Sequence, residues 1–359
     1  MTATPLDLRY KPELPPKHDY GIGVIGCGGI VNYAHLPAYK ANGLHVVACY
    51  DLSAEAARQT ASAHGIPRVY EELDALLADP AIEIVDIAVP AWEQRPIAER
   101  ALAAGKHLLC QKPLSENLED ARAIAEAGRR AGRKVAVNQQ MRWSAGIAAA
   151  RDLISRGFIG QVTDAQIQVT TSTPWHMWPW LREAPRLDVM YHSIHYIDSM
   201  RSILGDPEWV TSRHAKFPGQ PERAETKTVT VMDYASGAQA LIAVNHHDES
   251  GDHSATFRFL GTEGVIRGTI GLLYNYPHGR PDTLQCRSTR TTPAVWYDVA
   301  LEGLWIPDAF IGPMASLMAA VQSGGAPATD ASDNLGTLRA VHAAYLSAAE
   351  HRSVRPDDL

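Results

Sequence analysis

The apolar run Gly21-Ile22-Gly23-Val24-Ile25 leads without a spacer into Gly26-Cys27-Gly28-Gly29, and a second apolar run, His45 to Tyr50, ends at Asp51. Few folds use that order of strand, glycine turn, helix, strand and acid. Gly26 permits a tight turn, and Gly28 lets the backbone approach a pyrophosphate with no Cβ in the way. The helix that follows points its N-terminal amides, and the positive end of its dipole, at the phosphates. Asp51 can accept hydrogen bonds from both ribose hydroxyls of an adenosine and would repel a 2′-phosphate. The pattern predicts a dinucleotide site that uses Gly26, Gly28, Gly29, Ile30 and Asp51. NAD is the expected cofactor; NADP is the alternative, because Ser53 and Arg58 follow closely. The third small residue of the pattern is replaced by Val31, so a plain strand-to-helix turn stays open as the other reading.

A chain of 359 residues exceeds one ordinary core, and two domains are expected. From Tyr20 to Arg142 strand and helix alternate, with strands expected at 21–25, 45–50, 84–89, 107–110 and 135–138. This is α/β text: a doubly wound Rossmann sheet, parallel and covered on both faces. Asn117 and Gly132 bracket a helix over 118–130 as N-cap and C-terminal stop. The pattern then changes. Ala165, Ile167 and Val169 alternate with Gln166, Gln168 and Thr170. Hairpins are expected around Ser236-Gly237 and at Gly261 to Gly264, and helices at 310–322 and 334–351. Residues 143–359 therefore read as an α+β domain with a large, open, mainly antiparallel sheet for substrate binding and oligomerisation. Residues 1–19, rich in proline, form an arm.

Net charge −7 argues against nonspecific nucleic-acid binding, and no apolar run spans a bilayer. The four cysteines, at 27, 49, 110 and 286, have neither disulfide-framework nor zinc spacing, which fits a reducing cytoplasm.

Three constellations carry candidate chemistry. Gln111-Lys112-Pro113 follows the strand at 107–110, and ligands of open α/β sheets sit beyond the carboxyl ends of strands. Val89 and Pro90 end the strand at 84–89 in the same region, with Gln94 beyond, and these three are read with Gln111 and Lys112 as cofactor-binding. Read as one helix, Asp188, His192, His195 and Ser199 share a face, with Tyr191 and Asp198 beside it. Buried histidines are costly unless satisfied, so this is either a site or a set of hydrogen-bonded core residues. No metal is expected, since the His192/His195 pair lacks an obvious third ligand. Trp175, Trp178 and Trp180 lie in a proline-bounded loop and either stack on a sugar ring or close a core. His246 is a further candidate for the same pocket. Asn138 and Arg142, after the strand at 135–138, are read as substrate-lining and cofactor-lining respectively, with an ordinary salt bridge as the other reading for Arg142.

Together these residues resemble the glucose–fructose oxidoreductase / inositol dehydrogenase / rhizopine-catabolism family of NAD(P)-dependent oxidoreductases. The resemblance rests on Gly26 to Ile30 with His35 and Pro37, on Gly105-Lys106-His107 leading to Gln111-Lys112-Pro113, and on His195-Tyr196-Ile197-Asp198 before Leu204-Gly205. It implies hydride transfer between nicotinamide and a secondary alcohol of a sugar, sugar derivative or cyclitol, with Lys112 and His195 catalytic. It also implies a homodimer or homotetramer. Three departures stand out: Gln111 replaces a family Glu, Tyr191 a family Asp, and Gln94 a frequent His. Tyr191, His192 or Asp188 is then left to supply the missing polar group. Two other readings are an NAD-dependent glycosidase, which oxidises, eliminates and reduces again, and a non-catalytic dinucleotide-binding regulator.

Overall fold

The computed structural model describes residues 6–274, 276, 278–292 and 294–359. They fall into two compact units. One comprises Pro12–Gln140 and Pro307–Leu335; the other comprises the chain up to Lys11, Met141–Ile306 and Gly336–Leu359.

The first unit is built on six parallel strands, β1 (Ile22–Ile25), β2 (Val46–Tyr50), β3 (Arg68–Val69), β4 (Ile84–Ile87), β5 (His107–Cys110) and β6 (Val135–Val137), in the order β3-β2-β1-β4-β5-β6. This is the doubly wound order, with its reversal between β1 and β4. Helices α1 (Leu36–Ala41), α2 (Ala54–His64), α3 (Leu73–Ala78), α4 (Ala91–Ala103) and α5 (Leu118–Ala131) connect the strands. Ile22, Ile84, Val85 and Ile87 are fully buried, as central parallel strands require. Asn117 caps α5 by accepting the Asp120 N–H at 2.8 Å, and Gly132 ends it with φ +61°. The two-residue β3 escaped the sequence reading because it is too short to show alternation. The expected strand at 84–89 stops at Ile87, although Ala88 N still donates to Ile25 O of β1 at 2.8 Å.

The contiguous division at 142/143 does not hold. Residues 307–335 join the nucleotide unit: Val137 N donates to Thr329 O at 2.8 Å, and the helix Ile311–Ser323 packs on β5 and β6. The N-terminal arm divides too. Its first described residues group with the second unit, where the Arg9 main-chain N–H donates to Asp152 at 3.2 Å.

The second unit carries eight strands: β7 (Val162–Thr170), β8 (Trp209–Ala215), β9 (Lys227–Asp233), β10 (Gln239–Asn245), β11 (Ser254–Gly261), β12 (Gly264–Thr269), β13 (Thr283–Ser288) and β14 (Tyr297–Val299). Their order is β14-β13-β12-β11-β7-β10-β9-β8, and among the described residues only β7 with β10 is parallel. Both expected hairpins form, β9–β10 and β11–β12. Along β7 the side chains of Ala165, Ile167 and Val169 are buried and Gln168 is exposed, so one face meets the core. Phe257 and Phe259 fill that core, each burial being worth about 1.5–3 kcal/mol. Helices α6 (Ala145–Ser155), α7 (Pro179–Arg182) and α8 (Ile194–Leu204) belong to this unit. Among the described residues no helix is long and apolar enough to cross a membrane.

Candidate active site

The glycine turn has the shape a pyrophosphate needs. Gly26 sits at φ +93°, and a Cβ there would lie 2.4 Å from Ala88 O. A Cβ on Gly28 would meet nothing within 4 Å, so its backbone faces open space, and Gly28 and Gly29 are exposed. Val89 lines the turn: its Cγ1 lies 3.2 Å from where a Gly26 Cβ would be. Asp51 accepts the Cys27 main-chain N–H at 2.7 Å and the Ser53 N–H at 2.7 Å, which fixes the acid beside the turn. Val31, in place of a small residue, is fully buried and opens a π-turn, Val31–His35, ahead of α1. The residues present thus fit a dinucleotide.

Lys112 follows β5 at the carboxyl edge of the sheet. Burial alone brings its ammonium from the ordinary 10.5 down to about 8. Around it lies a polar cluster. Gln94, fully buried in the first turn of α4, donates from Nε2 to Gln111 O and to Pro113 O, at 2.8 Å each. Gln111 Oε1 accepts the Lys112 main-chain N–H at 2.8 Å, and Gln111 Nε2 lies 3.1 Å from His35 Nε2. Asn138 Nδ2 reaches the same nitrogen at 3.1 Å, and His35 Nδ1 lies 2.7 Å from Asp86 Oδ2. Tyr39 donates to that oxygen at 2.7 Å, and the Phe310 ring packs on His35 with centroids 5.1 Å apart.

The cluster corrects two readings. Gln94 holds protein main chain, and Asn138 is a buried partner of His35 rather than a pocket lining. Arg142 is corrected as well. It lies in the second unit, in a 3₁₀ turn after β6, and its guanidinium grips Asp198 at 2.6 and 2.8 Å; Thr337 donates to the same carboxylate at 2.8 Å. The salt bridge given as its other reading is thus present.

In the second unit the 188–198 segment is not one α-helix. Asp188–His192 forms a π-turn, closed by Ser193 N to Asp188 O at 2.7 Å, and α8 starts anew at Ile194. The stripe of four residues is therefore broken. Asp188 and His192 stay together, with Oδ1 to Nδ1 at 3.8 Å, while the buried His195 ring stands against Trp305, centroids 5.4 Å apart.

Asp188 is the centre of this region. Its carboxylate is fully buried and accepts from the Ser193 hydroxyl at 2.8 and 2.9 Å, from the Thr228 hydroxyl and from His246 Nε2 at 2.7 Å. Burial pushes its pKa up, but His246, His192 and the Thr228 hydroxyl outweigh that and hold it below the ordinary carboxylate value. His246 meets Thr173 Oγ1 through Nδ1 at 2.7 Å. The His192 and His246 rings meet edge-on with centroids 4.4 Å apart. Asp188 and His246, both candidates for the substrate pocket, are sealed from solvent in this arrangement.

Asp188, His192 and His246 place three ligand-type atoms within 4.8 Å of one another, so a third partner for a metal exists that the sequence pattern hid. Two hydroxyls and an imidazole also engage the carboxylate.

The tryptophan loop joins this cluster. Trp175 is buried with its ring 4.9 Å from that of His246, and Trp178 lies 5.6 Å from Tyr276. Trp180 is 41% exposed and stands edge-on to Tyr191 at 5.2 Å. Trp175 thus closes a core, and Trp180 offers a face to solvent. The sequence reading missed Thr173, Ser193 and Thr228, because hydroxyl partners far apart in the chain leave no pattern. It also missed the His35–Asp86 pair, although an acid inside the apolar run 84–89 is a signal that a buried partner exists.

The fold and this site define an NAD-binding oxidoreductase. Residues 20–139 match the oxidoreductase family with NAD-binding Rossmann fold, and residues 147–267 match the GFO/IDH/MocA C-terminal domain; the chain belongs to the GFO/IDH/MocA family. It is 29% identical over 341 residues to a D-apiose dehydrogenase of Paraburkholderia graminis, covering 94% of this chain and 89% of that protein. It is 30% identical over 256 residues to a 1,5-anhydro-D-fructose reductase of Ensifer adhaerens, covering 70% and 74%. Among solved structures, an oxidoreductase from Agrobacterium radiobacter in complex with NAD+, L-tartaric acid and magnesium superposes with a TM-score of 0.85 at 26% identity, over 95% of this chain and 99% of that one.

Proposed function

We propose that this chain is a sugar dehydrogenase that uses NAD and acts on a secondary alcohol of an aldose, a sugar derivative or a cyclitol. The observation that carries the reading is Lys112, a lysine at the carboxyl edge of β5 whose ammonium burial brings to about 8. The sugar-oxidising and sugar-reducing relatives support the substrate class.

Bound nicotinamide supplies the hydride acceptor. Gly28 and Gly29 would cradle the pyrophosphate, and Asp51 would take the adenosine ribose. Lys112 would donate to the reacting oxygen and stabilise its developing negative charge, a task that gains strength where water is excluded. A histidine of the 188–195 segment would take the hydroxyl proton, imidazole being the side chain suited to that at neutral pH. His195 is the residue the family resemblance assigns; His192, held by Asp188, is the second base. Tyr191, against Trp180, would shape the pocket.

A panel of aldoses, cyclitols and glycosides, followed by NADH absorbance, tests the reading. The expected result is NADH formed in proportion to one sugar or cyclitol consumed, with Lys112→Ala lowering kcat by about 10²-fold or more. Consumption of a glycoside with no net NADH would instead establish the glycosidase reading. A thermal shift with NAD and no turnover on any member would establish the regulator.

A further inference from the structure

We propose that Gln94 and Gln111 are the positioning residues of Lys112, a pair of neutral amides that fix its main chain from both sides, with the Gln111 NH₂ turned to His35 behind it. The inference rests on the reading of Lys112 as the group that meets the substrate.

The directions of these hydrogen bonds can be derived from one end. The Lys112 main-chain N–H can only donate, so Gln111 must turn its oxygen toward it, as it does at 2.8 Å. Gln111 Nε2 is then forced toward His35 Nε2. Asn138 Nδ2 points at the same nitrogen. His35 Nε2 therefore accepts, and its proton sits on Nδ1 and is donated to Asp86. On the other side, the two carbonyls that flank Lys112 can only accept, so Gln94 must present its NH₂, one hydrogen to Gln111 O and one to Pro113 O. The Gln94 NH₂ is thereby committed to the two flanking carbonyls and Gln111 Oε1 to the Lys112 N–H.

Charge is the second half of the argument. A carboxylate at 111 would keep the bond to the Lys112 N–H but turn its other oxygen toward His35 Nε2, which would then have to carry a proton. The amide avoids both charges. The titratable groups on the elements around this turn within the unit include His35 ahead of α1, Tyr39 and Lys40 on α1, Asp86 on β4, His107 and Cys110 on β5, Glu93, Arg95, Glu99 and Arg100 on α4, and Glu116 in the loop that follows. Arg95 is tied to Glu99 and Asp120, and the helix Ile311–Ser323, packed on β5, carries no charged side chain. Burial and Asp86 push the Cys110 thiol up, which keeps it neutral.

The test titrates Lys112 directly in ligand-free protein, by NMR of ¹³Cε-labelled lysine with the Lys112 signal assigned from Lys112→Met. Gln111→Glu, nearly isosteric, is expected to raise the Lys112 midpoint by about one unit or more, since an opposite charge within a few ångströms has that effect. Once the substrate is known, the limb of the kcat–pH profile that belongs to Lys112 moves the same way, and NAD affinity stays within about twofold. Gln94→Leu is expected to lower kcat about tenfold, with partial recovery in Gln94→His, which restores one donor. A Lys112 midpoint unmoved in Gln111→Glu overturns the proposal. So does a Gln94→Leu enzyme with wild-type kcat. Because the NMR measurement needs no substrate, failure to oxidise any sugar would sink the functional reading and leave this one standing.

Discussion

Lys112 and Asp188 are both ionisable groups withdrawn from water, and the chain holds them in opposite ways. Around Lys112 the partners of the main chain are amides, and burial alone lowers the pKa. Around Asp188 the side chain itself is gripped by hydroxyls and imidazoles, which outweigh burial and stabilise the charge. In the first case the bonds described are to the main chain. A group fixed through its functional end is spent on structure. The contrast is the one expected if Lys112 serves the proposed chemistry and Asp188 supports it, although both stood out in the sequence as polar residues among apolar ones.

The largest effect should come from breaking the second arrangement. Asp188→Ala removes the acceptor shared by Ser193, Thr228 and His246 and leaves buried donors stranded, which costs about 3–5 kcal/mol. Urea denaturation at neutral pH measures it. The sign of the pH dependence follows from the lowered pKa: the stabilisation is complete above the unfolded value near ~3.9 and is lost as pH falls through the lower folded value. Wild type and variant should therefore converge in acid. A constant gap down to pH 2 would mean that the carboxylate acts through its shape and not its charge.

The Lys112 side of the comparison predicts the opposite sign for the substitution, with a smaller amplitude because a lysine stem can extend toward water. The folded protein releases the Lys112 proton near pH 8, whereas the unfolded chain keeps it to about 10.5. Between those values the unfolded state binds more protons, so this group's contribution to stability rises with pH. Lys112→Met should be more stable than wild type at pH 7, and the difference should shrink by pH 10. Equal stability of the two proteins across that range would show that Lys112 is not desolvated.

Much of this was legible beforehand for a physical reason. A glycine turn, an alternating strand and a capped helix are local: Gly26, Ala165 to Val169 and Asn117 each declare themselves within a few residues. The two amide-lined sides of Lys112 were visible only as oddities, Gln94 and Gln111 standing where a titratable residue was expected. What they hold, Gln111 O, Pro113 O and His35, depends on chain folding back across 17 to 76 positions. The π-turn at Asp188–His192 was hidden for a different reason. A helix widened by one residue has the same composition as a regular one, so the shared face of Asp188, His192, His195 and Ser199 looked continuous until the backbone was traced.

The tryptophan loop separates the two halves of the comparison at the scale of one side chain. Trp175 is buried against His246 and extends the Asp188 cluster, while Trp180 exposes an indole face and leans on Tyr191. Removing Trp180 forfeits one edge-on aromatic pair, worth about 0.5–1.5 kcal/mol, so Trp180→Ala should lower stability by no more than about 1 kcal/mol in a thermal or urea melt. If the exposed face stacks on the substrate ring, KM rises several-fold while kcat holds within about twofold, because a stacking contact made equally in ground and transition states affects binding alone. If Trp180 serves to hold Tyr191, kcat and KM change together, and Tyr191→Phe, which keeps the ring, leaves both where they were. The split between the two constants decides whether the loop belongs with Lys112, as a group presented to substrate, or with Asp188, as part of what holds the presenting groups in place.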